Sequence, residues 1–476
     1  MNLNLSIYQF YLIKILIWIL YIFFFLNLLV TNISTEIIGG VLFSGVLIQM
    51  SVIAFINSWY YKGKPMLLDW FRLSTFLYII LNFFSIVKHL KTQNNFNGYI
   101  INDYMIMPSL LAIFIGFCGL FVAEFIFKLV KMTKTKKLVK TKYKFRSVQF
   151  YYIFVVFILV THIYLMLTGQ IGYGTLQENT TSSLSFLFQS LLLISPFLLG
   201  VFSIMKYIFN FNDTKFNYIF IIFFIIQIIS GFLSGMKESI IVPIIIVAIP
   251  YLLSGRKVPK KMLVIGSICF LFIYPINNSF REILNKYPNL PREKAFGLAL
   301  TKTVDINFSD NLKNSTNNYS DRLSLYPYLV YAIEHEENWS VYKSMDRYVY
   351  LPVSWIVPRF ILPDKPKSEN GGLLNEMIYG RDVGPNSLTV TSYGWAFFEG
   401  GYFYVFILFL FFGLVISYFE NILGLSSFFG ILIYTQLLVL LLKVETDIYF
   451  LISNIFQMLL INYILFKLFI KVRKYR

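Results

Sequence analysis

The chain has 476 residues, 57% hydrophobic, 19% aromatic and only 14% charged, with a mean hydropathy of +0.67. Soluble globular domains carry close to twice that charge, so composition excludes a soluble protein and specifies an integral membrane one. The net charge of +17 would suggest nucleic acid in a soluble chain, but its placement makes it a topology signal. Residues 280–395 hold 13 basic and 13 acidic residues, and the rest of the chain holds 28 and 11. Excess Lys and Arg beside membrane spans marks the cytoplasmic face. No nucleic-acid partner is expected.

Apolar runs of the length that crosses a hydrocarbon core recur along the chain. The first, Phe10 to Val30, has no small-residue cleavage site and only Lys14 near its start, so it reads as a first transmembrane helix. Spans are expected at 9–30, 37–58, 67–87, 104–130, 148–168, 185–206, 217–234, 239–254, 262–279, 396–418, 425–442 and 449–470. The expected fold is thus an all-α polytopic integral membrane protein of about twelve transmembrane helices with one large late extracytoplasmic loop.

Lys131 to Arg146 contains eight basic residues and no acid, which fixes that joint in the cytoplasm. Alternation then places Lys62 and Lys64, Lys206 and Lys215, Arg256 to Lys261, and the tail Lys471 to Arg476 on the same side, and all are basic. Both termini are expected inside. The joints 88–103 and 169–184, the turn at Lys237 and the segment 280–395 are expected outside. Three regions follow: a bundle of about nine helices over 1–279, the loop 280–395, and helices with a basic tail over 396–476.

Within the loop, Asp321 to Asn338 is helix-like, and Pro352, Pro358, Pro363 and Pro366 forbid a long helix downstream. Short helices lying on the membrane surface are expected. Cys118 and Cys269 sit in apolar runs and imply no disulfide. His89, His162 and His335 match no ligand spacing, so no metal is expected. No Gly-rich nucleotide loop and no internal repeat is present, and no cofactor is expected.

Several polar groups stand out against this background. Lys237 and Glu238 form a short turn between two apolar runs, either as an anchoring neighbour pair or as a functional cation at the lip of the bundle. In the loop, Arg281, Arg347, Arg359 and Lys365 supply cations that forked or point-charge contacts could use on phosphate. Tyr348, Tyr350 and Trp355 lie among them, suited to stacking on sugar faces or to anchoring at the interface. Glu399, flanked by aromatics and glycines, is a candidate general base or an interfacial acid. Glu124 is expected to pair with Lys128 one helical turn on, and Asp69 with Arg72, both as structure.

The run Pro358-Arg-Phe-Ile-Leu-Pro-Asp-Lys-Pro366 and the later Thr391-Ser-Tyr-Gly-Trp-Ala-Phe-Phe-Glu399-Gly-Gly-Tyr402 resemble the Wzy-type oligosaccharide repeat-unit polymerases, also called O-antigen polymerases. The turn Ser234-Gly-Met-Lys237 is similar to that family's Ser/Gly-Ser-Arg turn, with lysine in place of arginine. The resemblance implies a multi-pass enzyme of the bacterial inner membrane, working on the extracytoplasmic side. It implies a polyprenyl-pyrophosphate-linked oligosaccharide as substrate, with a flippase and a chain-length regulator of the same pathway as candidate partners. On that reading Lys237, Arg281, Arg347 and Arg359 hold the pyrophosphate, Lys365 assists, and Glu399 is the base. A glycan ligase of similar architecture and a lipid-linked oligosaccharide flippase are the alternatives.

Overall fold

The computed structural model describes residues 6–29, 34–63, 65–90, 102–130, 141–167, 194–234, 237–256, 275–277, 279–284, 286–287, 290–305, 325–339, 374, 377, 389–423, 425 and 427–474. Eight of its helices are long and apolar enough to cross a membrane. They match eight of the expected spans and make this an integral membrane protein by helix length and composition.

The first four are α1 (Ile7–Leu29), α2 (Thr35–Lys62), α3 (Leu67–Phe84) and α4 (Asp103–Leu129). Strand β1 (Thr141–Phe145) leads into α5 (Val148–Leu167). Next come α6 (Ser195–Tyr207), α7 (Thr214–Leu233) and α8 (Lys237–Leu253). Within the hydrophilic region lie α9 (Arg292–Asp305), α10 (Tyr326–Glu334) and α11 (Glu336–Trp339). The chain closes with α12 (Thr391–Leu423), α13 (Phe428–Leu441), α14 (Ile448–Phe469) and strand β2 (Ile470–Lys474).

Two expected spans appear as shorter helices. At 17 residues α8 spans about 25 Å, and at 14 residues α13 spans about 21 Å, against a core of about 30 Å. The expected span at 185–206 is described only as the 13-residue α6, and most of 262–279 lies outside the described residues.

Small residues set the central packing. A Cβ on Gly119 of α4 would stand 2.7 Å from the Phe406 carbonyl oxygen and 3.0 Å from the Leu410 nitrogen, so the backbones of α4 and α12 touch. Gly413 faces Ala123 in the same seam. A first core gathers around it from α2, α3, α4, α10, α12, α13 and α14, and a second joins α5, α6, α7, α8, α13 and α14. Helix α13 contributes to both cores and welds them.

The Asp69–Arg72 pair is present at 2.7 Å, but Glu124 does not turn to Lys128. Its Oε1 instead accepts from Arg72 Nη2 at 2.5 Å, tying α3 to α4. The reason is burial: Arg72 is 1% exposed, its guanidinium also covers the Phe121 ring, and one cation must satisfy the carboxylates that face it.

The fold is not purely helical. β1 and β2, 325 residues apart between their paired ends Phe145 and Ile470, form an antiparallel ribbon. Its aromatic residues dock on the bundle, with Tyr143 against Phe209 and Phe428, and Phe145 against Tyr151 and Phe216.

Candidate functional site

The long run Thr391–Leu423 is two arms rather than one rod. Gly401 has φ 64° and ψ −156°, a backbone region open essentially to glycine alone, and it reverses the chain. Tyr393 on the first arm stacks on Phe409 of the second with centroids 4.4 Å apart, and Phe397 meets Tyr402 at 4.9 Å. Both contacts require the arms to run side by side in opposite directions. The membrane-length helix expected at 396–418 therefore begins only after Gly401, and Thr391 to Glu399 is a separate short helix. Thr391 to Phe398 are all buried, because this arm has apolar or small residues on every side and no polar face to offer water.

The base of the buried arm is pinned by the joint between α13 and α14. Ser392 N donates to the Val444 carbonyl at 2.8 Å, and Ser392 Oγ lies 2.8 and 2.6 Å from the carbonyls of Val444 and Thr446. Thr389 Oγ1 donates to the Glu445 carbonyl and accepts from Trp395 Nε1, the latter at 3.1 Å. Thr391 itself, β-branched and wholly buried, holds φ at 72°, a strained conformation for such a residue. Its Oγ1 accepts from Gly394 N at 3.2 Å and caps the arm.

Ser392 stands eight residues before Gly400, about 12 Å along the arm at 1.5 Å per residue. The joint it grips, residues 442–447, therefore lies against the base of the hairpin and not at its tip. Lys443 of that joint and Glu238, the latter at the head of α8, form an ion pair. Glu238 thus has a partner 205 positions away in sequence. Glu445 lies in the same joint, with its side chain exposed at the surface and partly enclosed by neighbouring protein. That desolvation, then the Glu238 charge, raises its carboxyl above the ordinary range, while Lys443 pulls it back.

At the tip of the hairpin Glu399 is half-buried, and a Cβ on Gly401 would stand 3.6 Å from Glu336 Oε1. Two carboxylates therefore flank the turn. Helix α10 packs into the end of the bundle. Tyr326 is fully buried and its hydroxyl meets Ser109 Oγ at 2.7 Å, while Leu325 N donates to the Tyr78 carbonyl at 3.2 Å. The apolar sequence Tyr-Pro-Tyr-Leu-Val-Tyr-Ala-Ile explains the insertion, since it has no face for water. Asn102 Nδ2 donates to Glu334 at its outer end.

Of the residues singled out by sequence, Glu399 is at the hairpin tip and Lys237 is the first residue of α8, next to Glu238 in the chain. Arg281 is half-buried next to Phe280, which packs with Ala295 and Ala299 of α9. Arg347, Arg359, Lys365, Tyr348, Tyr350 and Trp355 lie outside the described residues. Among the described residues no group of three or more His, Cys, Asp or Glu side chains could hold a metal ion. Sequence reasoning passed over Lys443, Glu445, Thr389 and Ser392. The signal for the first two was the run Lys443-Val-Glu-Thr-Asp447 between apolar stretches, the first of them too short to cross.

A family model described as Domain of unknown function (DUF8712) matches residues 118–474, from the middle of α4 to the end of β2. No curated protein and no solved structure matches the chain.

Proposed function

We propose that this chain, which belongs to the family described as Domain of unknown function (DUF8712), is a bacterial membrane glycosyltransferase that joins polyprenyl-pyrophosphate-linked oligosaccharide repeat units into a surface polysaccharide. The observation that carries the reading is the polar cluster at the α13–α14 joint. The Lys443–Glu238 ion pair, Glu445 and the strained buried Thr391 with its neighbours Thr389 and Ser392 gather there, at the end of the bundle from which the hydrophilic segment 280–395 emerges. A transferase for lipid-linked sugars needs a polar site held open beside the membrane, with the lipid tail in the bilayer and the sugars in water.

The topology fits this use. Ser34 contacts Asp103, Asn102 contacts Glu334, Glu238 contacts Lys443 and Thr389 contacts Glu445, all at one end. The ribbon, the Arg256–Asn210 contact and the Leu67–Glu420 contact share the other. These two sets are the joints that charge counting assigns outside and inside, which supports an extracytoplasmic site and cytoplasmic termini.

In the reaction, a hydroxyl of one lipid-linked unit attacks the anomeric carbon of the growing chain. The new carbon–oxygen bond forms as the bond to pyrophosphate breaks, and the electron pair leaves with the lipid pyrophosphate. The hydroxyl proton passes to a carboxylate, for which Glu399 at the hairpin tip is the candidate. Cations stabilise the developing pyrophosphate charge: Lys237 and Arg281, joined by Arg347, Arg359 and Lys365 of the loop. Tyr348, Tyr350 and Trp355 are assigned to the sugars.

The test compares surface glycan size in a deletion strain restored with wild type, Glu399→Gln or Arg359→Ala. Single repeat units on the surface after deletion, with long chains restored by wild type and by neither variant at equal membrane level, are the expected result. Unattached long chains would identify a ligase, and lipid-linked units retained inside would identify a flippase.

A further inference from the structure

The polar cluster leaves the opposite end of the molecule unexplained, and there the ribbon has an unusual charge register. Tyr143 pairs with Val472 and Phe145 with Ile470; Tyr143, Phe145 and the buried Ile470 lie on the face docked on the bundle, while Val472 on that face is exposed. Alternation along a strand then puts Lys144 on the opposite face, directly across from Lys471. Lys144 and Lys471 are both exposed. Like charges directly opposite each other destabilise a strand pair. This like-charge pair calls for a counter-anion.

The position of the ribbon says which anion. β2 follows the last residue of α14 without a break, and β1 is separated from α5 only by Arg146 and Ser147. Arg146 N donates to the Phe469 carbonyl at 2.8 Å, so both strands start at the ends of membrane-length helices. The backbones that carry Lys144 and Lys471 are held about 5 Å apart across the strands. We infer that the outer face of the β1–β2 ribbon is a binding site for the phosphate of anionic phospholipids in the leaflet that α5 and α14 enter. Basic groups at a membrane surface draw such lipids electrostatically, and here the ribbon supplies a fixed geometry as well. The inference is independent of the glycosyltransferase reading.

The full chain is reconstituted in nanodiscs of phosphatidylcholine alone or of phosphatidylcholine with one quarter phosphatidylglycerol, and Tm is measured. Wild type is expected to melt higher in the anionic discs. The Lys144→Gln, Lys471→Gln double variant should lose most of that increase, whereas Lys128→Gln, Lys215→Gln, which removes two exposed cations elsewhere, should keep it. In pure phosphatidylcholine the ribbon variant should melt at or above wild type, because repulsion is relieved, and a lower value there would overturn the proposal. Equal loss in both double variants would also overturn it, as would no loss in either. Restoration of the increase in neutral discs by millimolar inorganic phosphate would reassign the site to free phosphate and overturn the lipid assignment.

Discussion

Tyr393 and Phe409 lie sixteen positions apart in one helical run, yet their rings stack with centroids 4.4 Å apart and planes 26° from parallel. An unbroken helix would separate them by about 24 Å. Their contact defines the hairpin. The Tyr393 hydroxyl continues the connection to Thr75 Oγ1 on α3 at 3.2 Å, so the buried arm is held from both sides.

Gly401→Ala should destabilise the protein by about 1–3 kcal/mol and abolish glycan extension. Space is not the obstacle, since the added Cβ would meet only Glu336 Oε1, at 3.6 Å. The obstacle is backbone conformation, so Gly401→Ala and Gly401→Val should be similarly damaging in a thermal-melt comparison. A harmless Gly401→Ala would show that the turn is not as described.

Gly119→Val tests the α4–α12 seam. Its side chain must displace backbone atoms of Phe406 and Leu410 rather than a flexible side chain, and overpacking of this kind costs about 1–3 kcal/mol. Gly39→Val on α2, where a Cβ would meet nothing within 4 Å, is the control and should leave the melt nearly unchanged.

Removing Arg72 alone strands the buried carboxylates of Asp69 and Glu124 and should cost about 3–5 kcal/mol. Arg72→Met combined with Glu124→Gln should recover part of that loss, because the uncompensated charge falls by one. Asp69 must be left intact, as its Oδ2 also accepts from Met66 N at 2.8 Å and caps α3. Non-additivity in the melts of the two single variants and the double variant measures the pair.

Much of this architecture is legible in the sequence, and the rest is not for identifiable reasons. Eight spans follow from apolar run length alone, because lipid demands an unbroken apolar helix. The hairpin does not, since the buried arm is as apolar as the span it precedes and only Gly400-Gly401 marks the break. The Arg72–Glu124 bridge joins residues 52 apart, and local spacing instead favours Lys128. At the site, Glu399 and the Lys237 turn can be picked out as isolated polar groups in apolar surroundings. Lys443 acquires meaning only when Glu238 is seen opposite it.

The Lys443–Glu238 pair is partly exposed, at 28% and 53%, so it contributes little to stability, about 0.2–1 kcal/mol before screening. Any large loss of function on its disruption is therefore not a folding effect. Lys443→Glu should abolish extension with a melt close to wild type. Exchange of the two charges, Lys443→Glu with Glu238→Lys, should keep the melt near wild type and restore extension at most in part, since position 443 then still carries an anion.

The most direct measurement uses the purified full chain in proteoliposomes supplied with the lipid-pyrophosphate-linked repeat unit of its host. The account predicts a ladder of extended glycans with one lipid pyrophosphate released for each bond formed, and no ladder with Glu399→Gln or Lys443→Glu at an unchanged melt. Unextended units in the presence of intact wild-type protein, or a full ladder from both variants, would contradict it.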